Sequence, residues 1–344
     1  MKEIIDILTT FQKGYEEKIP ENASALMTEI FSNRQDLLAL GTSSSEVCIG
    51  RNEVTELIHD DWDGGWGDFT IDIDGAKIEV DGNVAWFYAD GTVKYSFEET
   101  DDKCKRYVDF IKEIAEKQDA TPKKKLSFLN WALGLHFHQR KQGKREYLWP
   151  SELSGMLVRE NGNWKIGTLH FSTAKPNYPD ERLEGSVRDY QTYHDQMRDK
   201  IIAHEGNEVD DGLLDALRSL ENELANDAEF GGLSFDLEKT LAFDAGRFIW
   251  MMAIGTRSQS ISEDQVFEES LQEIKDLDNS DLSPEEVLFV AKRSIAYALK
   301  EVASGTEFTL PIRLTAVLEK VYGGYKFRNK HFSYPFFWIF EGKL

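Results

Sequence analysis

Two stretches of the chain carry the same pattern, NWKIGTLHFS at residues 163–172 and GYKFRNKHFS at residues 324–333. In each, a glycine comes just before the stretch, an aromatic residue is followed by lysine, and the end reads His-Phe-Ser. His170 and His331 are 161 positions apart, and the preceding glycines share this offset. Because ordered matches at a fixed distance indicate an internal repeat, the pattern predicts two copies of one structural unit.

The match extends toward the N-terminal side of each stretch. Trp86 and Trp250 are 164 positions apart, so the offset drifts by only three over a long segment. The two copies are therefore predicted to cover residues 67–172 and 231–333. Nothing before the second copy matches residues 37–50, so the second unit is predicted to be trimmed at its front.

The chain length fits two domains. It has 344 residues, and a domain typically has about 150. The segment 173–185 is polar and contains two prolines and a glycine, which is typical of a linker. We expect a first domain at residues 1–178 and a second, front-trimmed domain at residues 185–344. Apolar residues make up 41% of the chain, enough for a core in each domain.

Charge and cysteine content narrow the classes of function. The formal net charge is −22, which repels phosphate backbones and anionic lipid, so neither a nucleic-acid partner nor a membrane role is expected. Cys48 and Cys104 are too few for a disulfide framework. The acidic start, MKEIID, does not fit a signal peptide, and the apolar run at 336–340 is too short to span a bilayer. We expect a soluble cytoplasmic protein.

Local patterns predict both helices and strands. Apolar residues recur at helical spacing from Ile4 to Tyr15. Apolar and polar residues alternate over 69–74, and the Asp74-Gly75 dipeptide then predicts a hairpin turn. Residues 84–88 are apolar on both faces, as in a central covered strand. The fold class is therefore α+β.

An ordered set of short motifs resembles the SnoaL-like branch of the nuclear transport factor 2 (NTF2-like) superfamily. The motifs are LGT at 40–42, EVCIGR at 46–51, VAW at 84–86, NWKI at 163–166 and HFS at 170–172. The resemblance covers most of residues 1–175 and, more faintly, 231–335. It implies two tandem cystatin-like or NTF2-like cones, each a curved antiparallel sheet wrapped on helices with a pocket between them.

The resemblance also implies an arrangement of the two units. Many relatives dimerise through the convex sheet face, so the fused copies are expected to form an internal pseudo-dimer, with further homo-oligomerisation left open. Helical pairs at about 102–142 and 263–304, inserted between strands, depart from the minimal family pattern. These helices would cover the pocket or add contacts at an interface.

The family includes ketosteroid isomerases and polyketide cyclases, which need a carboxylate base and acidic donors. Met156 stands where the isomerases have an acidic donor, and residues 37–40, Leu-Leu-Ala-Leu, stand where they have the base. Tyr15 matches their tyrosine donor, but one donor without a base does not make a mechanism. Whether the protein is an enzyme is left open.

The repeated histidines allow two interpretations. In the second copy, Tyr325, Phe327, Asn329 and His331 alternate with basic residues, which predicts that they share one covered face. A covered histidine can act as an acid, a base or a ligand contact. Because both copies carry it, a structural hydrogen-bonding role is favoured over catalysis.

No metal or cofactor is predicted. His136 and His138 on a helix face different directions and cannot easily share a metal. A calcium loop beginning at Asp61 would need glycine and glutamate where Trp66 and Asp72 stand. The sequence also contains neither a phosphate-binding loop nor a nucleophile elbow.

Aromatic residues of the first copy define a candidate ligand site. We expect a cavity in the first domain that binds an apolar or amphipathic small molecule, without recognisable catalytic residues. The alternatives are an isomerase-like enzyme with an unidentified base, for which His170 is a candidate, and a pure interaction scaffold. The candidate contacts lie between the sheet and the helices and are Tyr15, Trp62, Trp66, Trp86, Tyr88, Met156 and His170.

Overall fold

The computed structural model describes most of the elements that the sequence predicts. It describes residues 1–43, 46–63, 68–98, 109, 144–173, 200–201, 209–227, 230–260 and 307–335. The helices are α1 (Lys2–Glu17), α2 (Ala23–Ile30), α3 (Gly50–Asp63) and α4 (Asp211–Leu224), with a 3-10 turn at Pro20–Asn22. The strands are β1 (Leu38–Leu40), β2 (Val47–Ile49), β3 (Asp68–Ile71), β4 (Lys77–Asp81), β5 (Val84–Glu98), β6 (Lys144–Glu160), β7 (Asn163–Thr173), β8 (Leu233–Ala245), β9 (Phe248–Ser260), β10 (Glu307–Val321) and β11 (Gly324–Ser333).

The first half is a sheet with helices on one face. Its strands run in the order β2-β1-β7-β6-β5-β3, and β4 also pairs with β5. The sequence predicted an antiparallel sheet, but β1 pairs with β7 in parallel while the other pairs are antiparallel. The α+β class with a curved sheet is confirmed.

Helix α1 buries the face that its apolar spacing predicted. Ile4, Leu8, Phe11 and Tyr15 are all inaccessible to solvent. The Phe11 ring lies 5.8 Å from the ring of Phe171 on β7. Further aromatic rings, from Phe31 directly after α2, from β3 and from α3, complete this core between helices and sheet.

The predicted hairpin at Asp74-Gly75 is wrong. Strands β3 and β4 do not pair with each other; both pair with β5, β3 at residues 91–94 and β4 at residues 84–88. The reason is that β5 is 15 residues long, so two short strands fit end to end along one edge. The turn between them is closed by the Gly75 amide, which donates to Asp72 Oδ1 at 3.0 Å.

The second half has its own four-stranded antiparallel sheet, in the order β11-β10-β9-β8. Helix α4 packs on one face through Leu213, Leu217 and Leu220. Asp210 caps the helix by accepting a hydrogen bond from the Leu213 amide at 3.0 Å. This half is therefore also a sheet covered by a helix.

The two halves share a β-bulge at equivalent positions. Gly167 in β7 has no partner residue in β6, and Arg328 in β11 has none in β10. A bulge inserts one residue and so changes which side chains face each way beyond it. It places His170 and His331 on the face opposite the helices.

Because of the bulge, one prediction about the last strand of the second half is wrong. Tyr325 and Phe327 pack on the α4 side of the second sheet, whereas His331, beyond the bulge, is on the other side. The four alternating residues therefore do not share one face. The predicted burial of His331 is nevertheless confirmed, since only 3% of it is exposed.

The helix-free faces of the two sheets pack against each other. Trp86 on β5 contacts Phe248 on β9, with ring centroids 4.8 Å apart. The buried apolar cluster between the sheets comprises Leu38, Leu40, Val47, Val84, Trp86, Met156, Val158, Ile201, Leu241, Phe243, Phe248, Trp250, Met252, Ile254 and Val317. We call this cluster the inter-sheet core.

Several predictions fall outside the described residues. These are the helical pairs at 102–142 and 263–304, apart from Asp109, and the linker after Thr173 with the domain boundaries at 178 and 185. Of the helices that can be described, none combines the length and apolar character needed to cross a membrane.

Candidate functional site

The structure does not bring the predicted ligand contacts together. Tyr15 and Trp62 belong to the core between helices and sheet, whereas Trp86 and Met156 belong to the inter-sheet core. Trp86 and Met156 are cross-strand partners, so their side chains share a face. His170 lies on that same face, beyond the bulge. A single cavity lined by all of them is therefore wrong, because the sheet separates them.

Two candidate contacts remain. Tyr88 is half-buried on the inter-sheet side, with its ring 5.9 Å from the ring of His331. Trp66 lies outside the described residues. Tyr88 does not join Tyr15 and Trp62 on the helix side.

His170 is held between the two sheets by the second half of the chain. Its Nδ1 lies 2.8 Å from Thr315 Oγ1, and its Nε2 lies 2.8 Å from Ser333 Oγ. Its ring stacks on that of His331, with centroids 3.9 Å apart. Because both ring nitrogens are engaged and the residue is buried, the geometry favours the structural interpretation over acid–base catalysis.

His331 makes the reciprocal contacts to the first half. Its Nδ1 lies 2.7 Å from Ser154 Oγ, and its Nε2 lies 2.8 Å from Ser172 Oγ. These serines precede Thr315 and Ser333 by the same 161 positions that separate the histidines. Glu152 is also near, with Oε2 3.3 Å from His331 Nε2, and the hydrogen bond from His331 lowers the pKa of Glu152.

Between about pH 7 and pH 5, His170 is expected to make the protein less stable as the pH falls. Burial, and then the charges of His331 and Arg313, hold the pKa of His170 well below its ordinary value. Below about pH 6.5 the unfolded chain therefore binds a proton that the folded chain does not, and the free energy of unfolding falls by up to ~1.4 kcal/mol per pH unit.

The matched variant is His170→Gln, which retains hydrogen bonding without titrating. Urea denaturation at several pH values measures the free energy of unfolding, which should depend less steeply on pH in the variant than in the unmodified protein. Equal slopes would contradict the prediction.

On the helix side, Tyr15 and Asp61 form a hydrogen-bonded pair. The Tyr15 hydroxyl, from the last turn of α1, donates to Asp61 Oδ2 at 2.8 Å. Asp61 lies near the end of α3 and is partly exposed, whereas Tyr15 is inaccessible. The pair thus connects the interior of the first half to its surface.

Trp62 lies beside this pair and has an unusual feature. Its ring is nearly perpendicular to that of Tyr15, with centroids 5.9 Å apart. The residue is 4% exposed, and its indole N–H has no hydrogen-bond partner among the residues that can be described. Buried donors are rarely left without a partner, so this N–H is available to an acceptor that the described residues do not supply.

The electrostatics of the pair suit proton exchange. Burial, followed by the charge of Glu46, raises the pKa of Asp61 well above its ordinary value. Burial, followed by the charge of Asp61, also raises the pKa of Tyr15. Tyr15 therefore stays protonated, and Asp61 holds its proton at a higher pH than an exposed carboxyl would.

The sequence interpretation missed Asp61 as a partner of Tyr15. The sequence analysis considered Asp61 only as the start of a calcium loop, which it rejected, yet Val54, Ile58 and Asp61 follow helical spacing on the buried face of α3. An acidic residue on an apolar helical face is the signal that could have found it. Within the described part of the chain, no group of three His, Cys, Asp or Glu residues could hold a metal.

The first half combines helices with a curved sheet, and most of the helical part lies in a segment that matches a family model. Residues 7–108 match the model of the SnoaL-like domain. This match confirms the SnoaL-like resemblance over a segment that includes Tyr15, Asp61 and Trp62. No curated protein matches the chain.

Three solved structures illustrate the shapes to which the chain is similar. An NTF2-like superfamily protein from Salmonella enterica is 13% identical over 51% of this chain and 92% of its own, with a TM-score of 0.32. An NTF2-like protein from Pseudomonas putida is 8% identical over 52% and 89%, with a TM-score of 0.32. A protein with a cystatin-like fold from Nostoc punctiforme is 11% identical over 52% and 92%, with a TM-score of 0.30. Likenesses of this size carry no information on what the chain binds.

Proposed function

We propose that the protein binds a small organic molecule in its first half, at the Tyr15–Asp61 pair beside Trp62. The observation that carries the proposal is the buried indole N–H, which has no partner among the described residues, next to a Tyr–Asp pair whose carboxyl group is partly exposed. A bound hydroxyl or carbonyl oxygen would accept from this N–H. Asp61 gives such a molecule a route from solvent, because it is the exposed member of the group.

The surroundings favour a neutral, amphipathic molecule. The aromatic rings of Phe11, Tyr15 and Trp62 provide apolar contact area. The carboxylates of Glu46 and Asp60 act on Asp61 and would repel an anion. The proposed ligand is therefore apolar over most of its surface, with one oxygen directed at Trp62.

A second candidate function is catalysis of proton transfer at this pair. The hydrogen-bonded geometry of the pair favours it, together with the upward shift that burial gives to the pKa of Asp61, since a carboxyl group that titrates closer to neutral pH is a better general acid or base. Tyr15 would orient Asp61 through the hydrogen bond that it donates. Asp61 replaces His170 as the candidate base.

Removal of the Trp62 N–H is expected to weaken retention of the ligand. Native mass spectrometry of the purified full chain should show a co-purifying small molecule. In Trp62→Phe, the dilution that releases half of it should shift about tenfold, which corresponds to the loss of one hydrogen bond of about 1–1.5 kcal/mol. Asp61→Asn should reduce retention as well.

The matched control is Trp164→Phe, because Trp164 is another nearly buried tryptophan of the same half, 5% exposed. It should retain the molecule as the original chain does. An original chain without any bound molecule would overturn the proposal and favour the scaffold alternative. Equal retention by Trp62→Phe and Trp164→Phe would also overturn it.

We further propose that the chain is a tandem duplication whose halves, 1–178 and 185–344, pack as an internal pseudo-dimer. The shared bulge and the reciprocal contacts of His170 and His331 support this, because an isologous interface uses the same patch on both partners. In this proposal the second half is the structural partner of the ligand-binding half.

A further inference from the structure

A buried arginine of the second half reaches into the first. Arg313 on β10 has no solvent exposure. Its Nη1 donates to the Gly41 carbonyl oxygen at 3.0 Å, and its Nη2 donates to the Ser43 carbonyl oxygen. Two charge-assisted hydrogen bonds from one guanidinium fix both carbonyls at once.

Arg313 holds the backbone of Gly41 and Ser43, and both of these residues contact Glu46. The Gly41 amide donates to the Glu46 carbonyl oxygen at 2.9 Å, and the Ser43 amide donates to Glu46 Oε2 at 2.7 Å. A Cβ atom on Gly41 would lie 2.0 Å from Glu46 Oε2, so the carboxylate lies directly over the glycine. The backbone that Arg313 holds thus also fixes the Glu46 side chain.

We propose that Arg313 of the second half is a positioning residue for the Tyr15–Asp61 pair of the first half, acting through Gly41 and Ser43, which hold Glu46. The proposal rests on the proposed function of that pair. The first half has no arginine at the equivalent position. The residue 161 positions before Arg313 is Glu152, and an ionised carboxylate cannot donate a hydrogen bond to a carbonyl oxygen.

Glu46 is the link between Arg313 and the pair. Its charge acts on both Asp61 and Tyr15 and raises the pKa of each. If the backbone of Gly41 and Ser43 loosens, the Glu46 carboxylate can move into solvent, and its effect on Asp61 falls. Among the described residues, the charged and titratable groups around this site are Tyr15 from α1, Glu46, Cys48 from β2, Glu53 and Asp60 from α3, and Lys200.

The test is a carboxyl NMR titration of Asp61 in the full chain without ligand. Arg313→Lys keeps the charge but lacks the planar fork that holds two carbonyls, so the measured pKa of Asp61 should fall toward the value in Glu46→Gln. Gly41→Ala should lower it in the same way, because the added methyl displaces the Glu46 carboxylate. Arg159→Lys, which changes an arginine bonded to the Gly162 carbonyl oxygen, is the control and should leave it unchanged.

Two results would overturn the proposal. One is an Asp61 pKa that falls in Glu46→Gln but not in Arg313→Lys. The other is failure of both Arg313→Lys and Arg313→Gln to fold, which would make Arg313 a residue of the core. Because the titration uses no ligand, a failure of ligand retention at Trp62 is seen separately.

Discussion

Trp250→Ala is expected to lower the free energy of unfolding by about 3–5 kcal/mol, the typical cost of removing a buried aromatic side chain. Trp250 is 1% exposed and lies in the inter-sheet core, with side chains of both sheets around it. The cavity would open between two sheets whose strands are held by their own hydrogen bonds, so it can close only partly. Chemical denaturation followed by circular dichroism measures the loss.

Trp250→Phe is the matched variant, because it keeps an aromatic ring in the same place and should cost less than the alanine variant. A loss below about 1 kcal/mol for Trp250→Ala would contradict the packing of the two sheets. Such a small loss would mean that the space around Trp250 is open to water, or that it closes after the substitution without a cost in free energy.

His170→Leu is expected to cost about 2–5 kcal/mol. The change leaves the buried hydroxyls of Thr315 and Ser333 without their histidine partner, and each unsatisfied buried group costs about 1–3 kcal/mol. Under the pseudo-dimer proposal, His331→Leu should have a similar cost, since it removes the same contacts from Ser154 and Ser172. The same denaturation experiment measures both.

The control for this pair is the double variant His170→Leu with Thr315→Val. Replacing both partners by apolar groups removes the unsatisfied hydroxyl, so the double variant should be more stable than His170→Leu alone. A near-neutral His170→Leu would contradict the structural interpretation of the histidine. A large cost at His170 with none at His331 would contradict the reciprocal interface.

Local patterns predicted the elements well, because they depend on nearby residues. The spacing from Ile4 to Tyr15 predicted α1 and its buried face. The repeated motifs predicted β7 and β11, with a histidine buried in each. Each of these inferences uses only the spacing of residues along one helix or strand.

Local patterns could not predict which face of a sheet each strand side chain occupies, or which strands pair. A bulge at Gly167 is a property of how β7 pairs with β6, and the strand alone does not show it. Strand alternation therefore gave a wrong face for the histidines, and with it a set of candidate ligand contacts that lie on both faces of the sheet. The Tyr15–Asp61 pair joins helices whose contact depends on the whole fold, although the spacing of Asp61 on α3 carried a usable signal.

The unlike residues beside the stacked histidines also bear on how such a chain can evolve. Glu152 lies beside His331, while the charge of Arg313 acts on His170. In a dimer of identical subunits these equivalent positions would have to hold the same residue, and two like charges would flank the axis. A single gene encoding both halves can change one position without the other. If the halves arose by the duplication proposed above, covalent fusion would permit an interface between identical partners to become one between different partners.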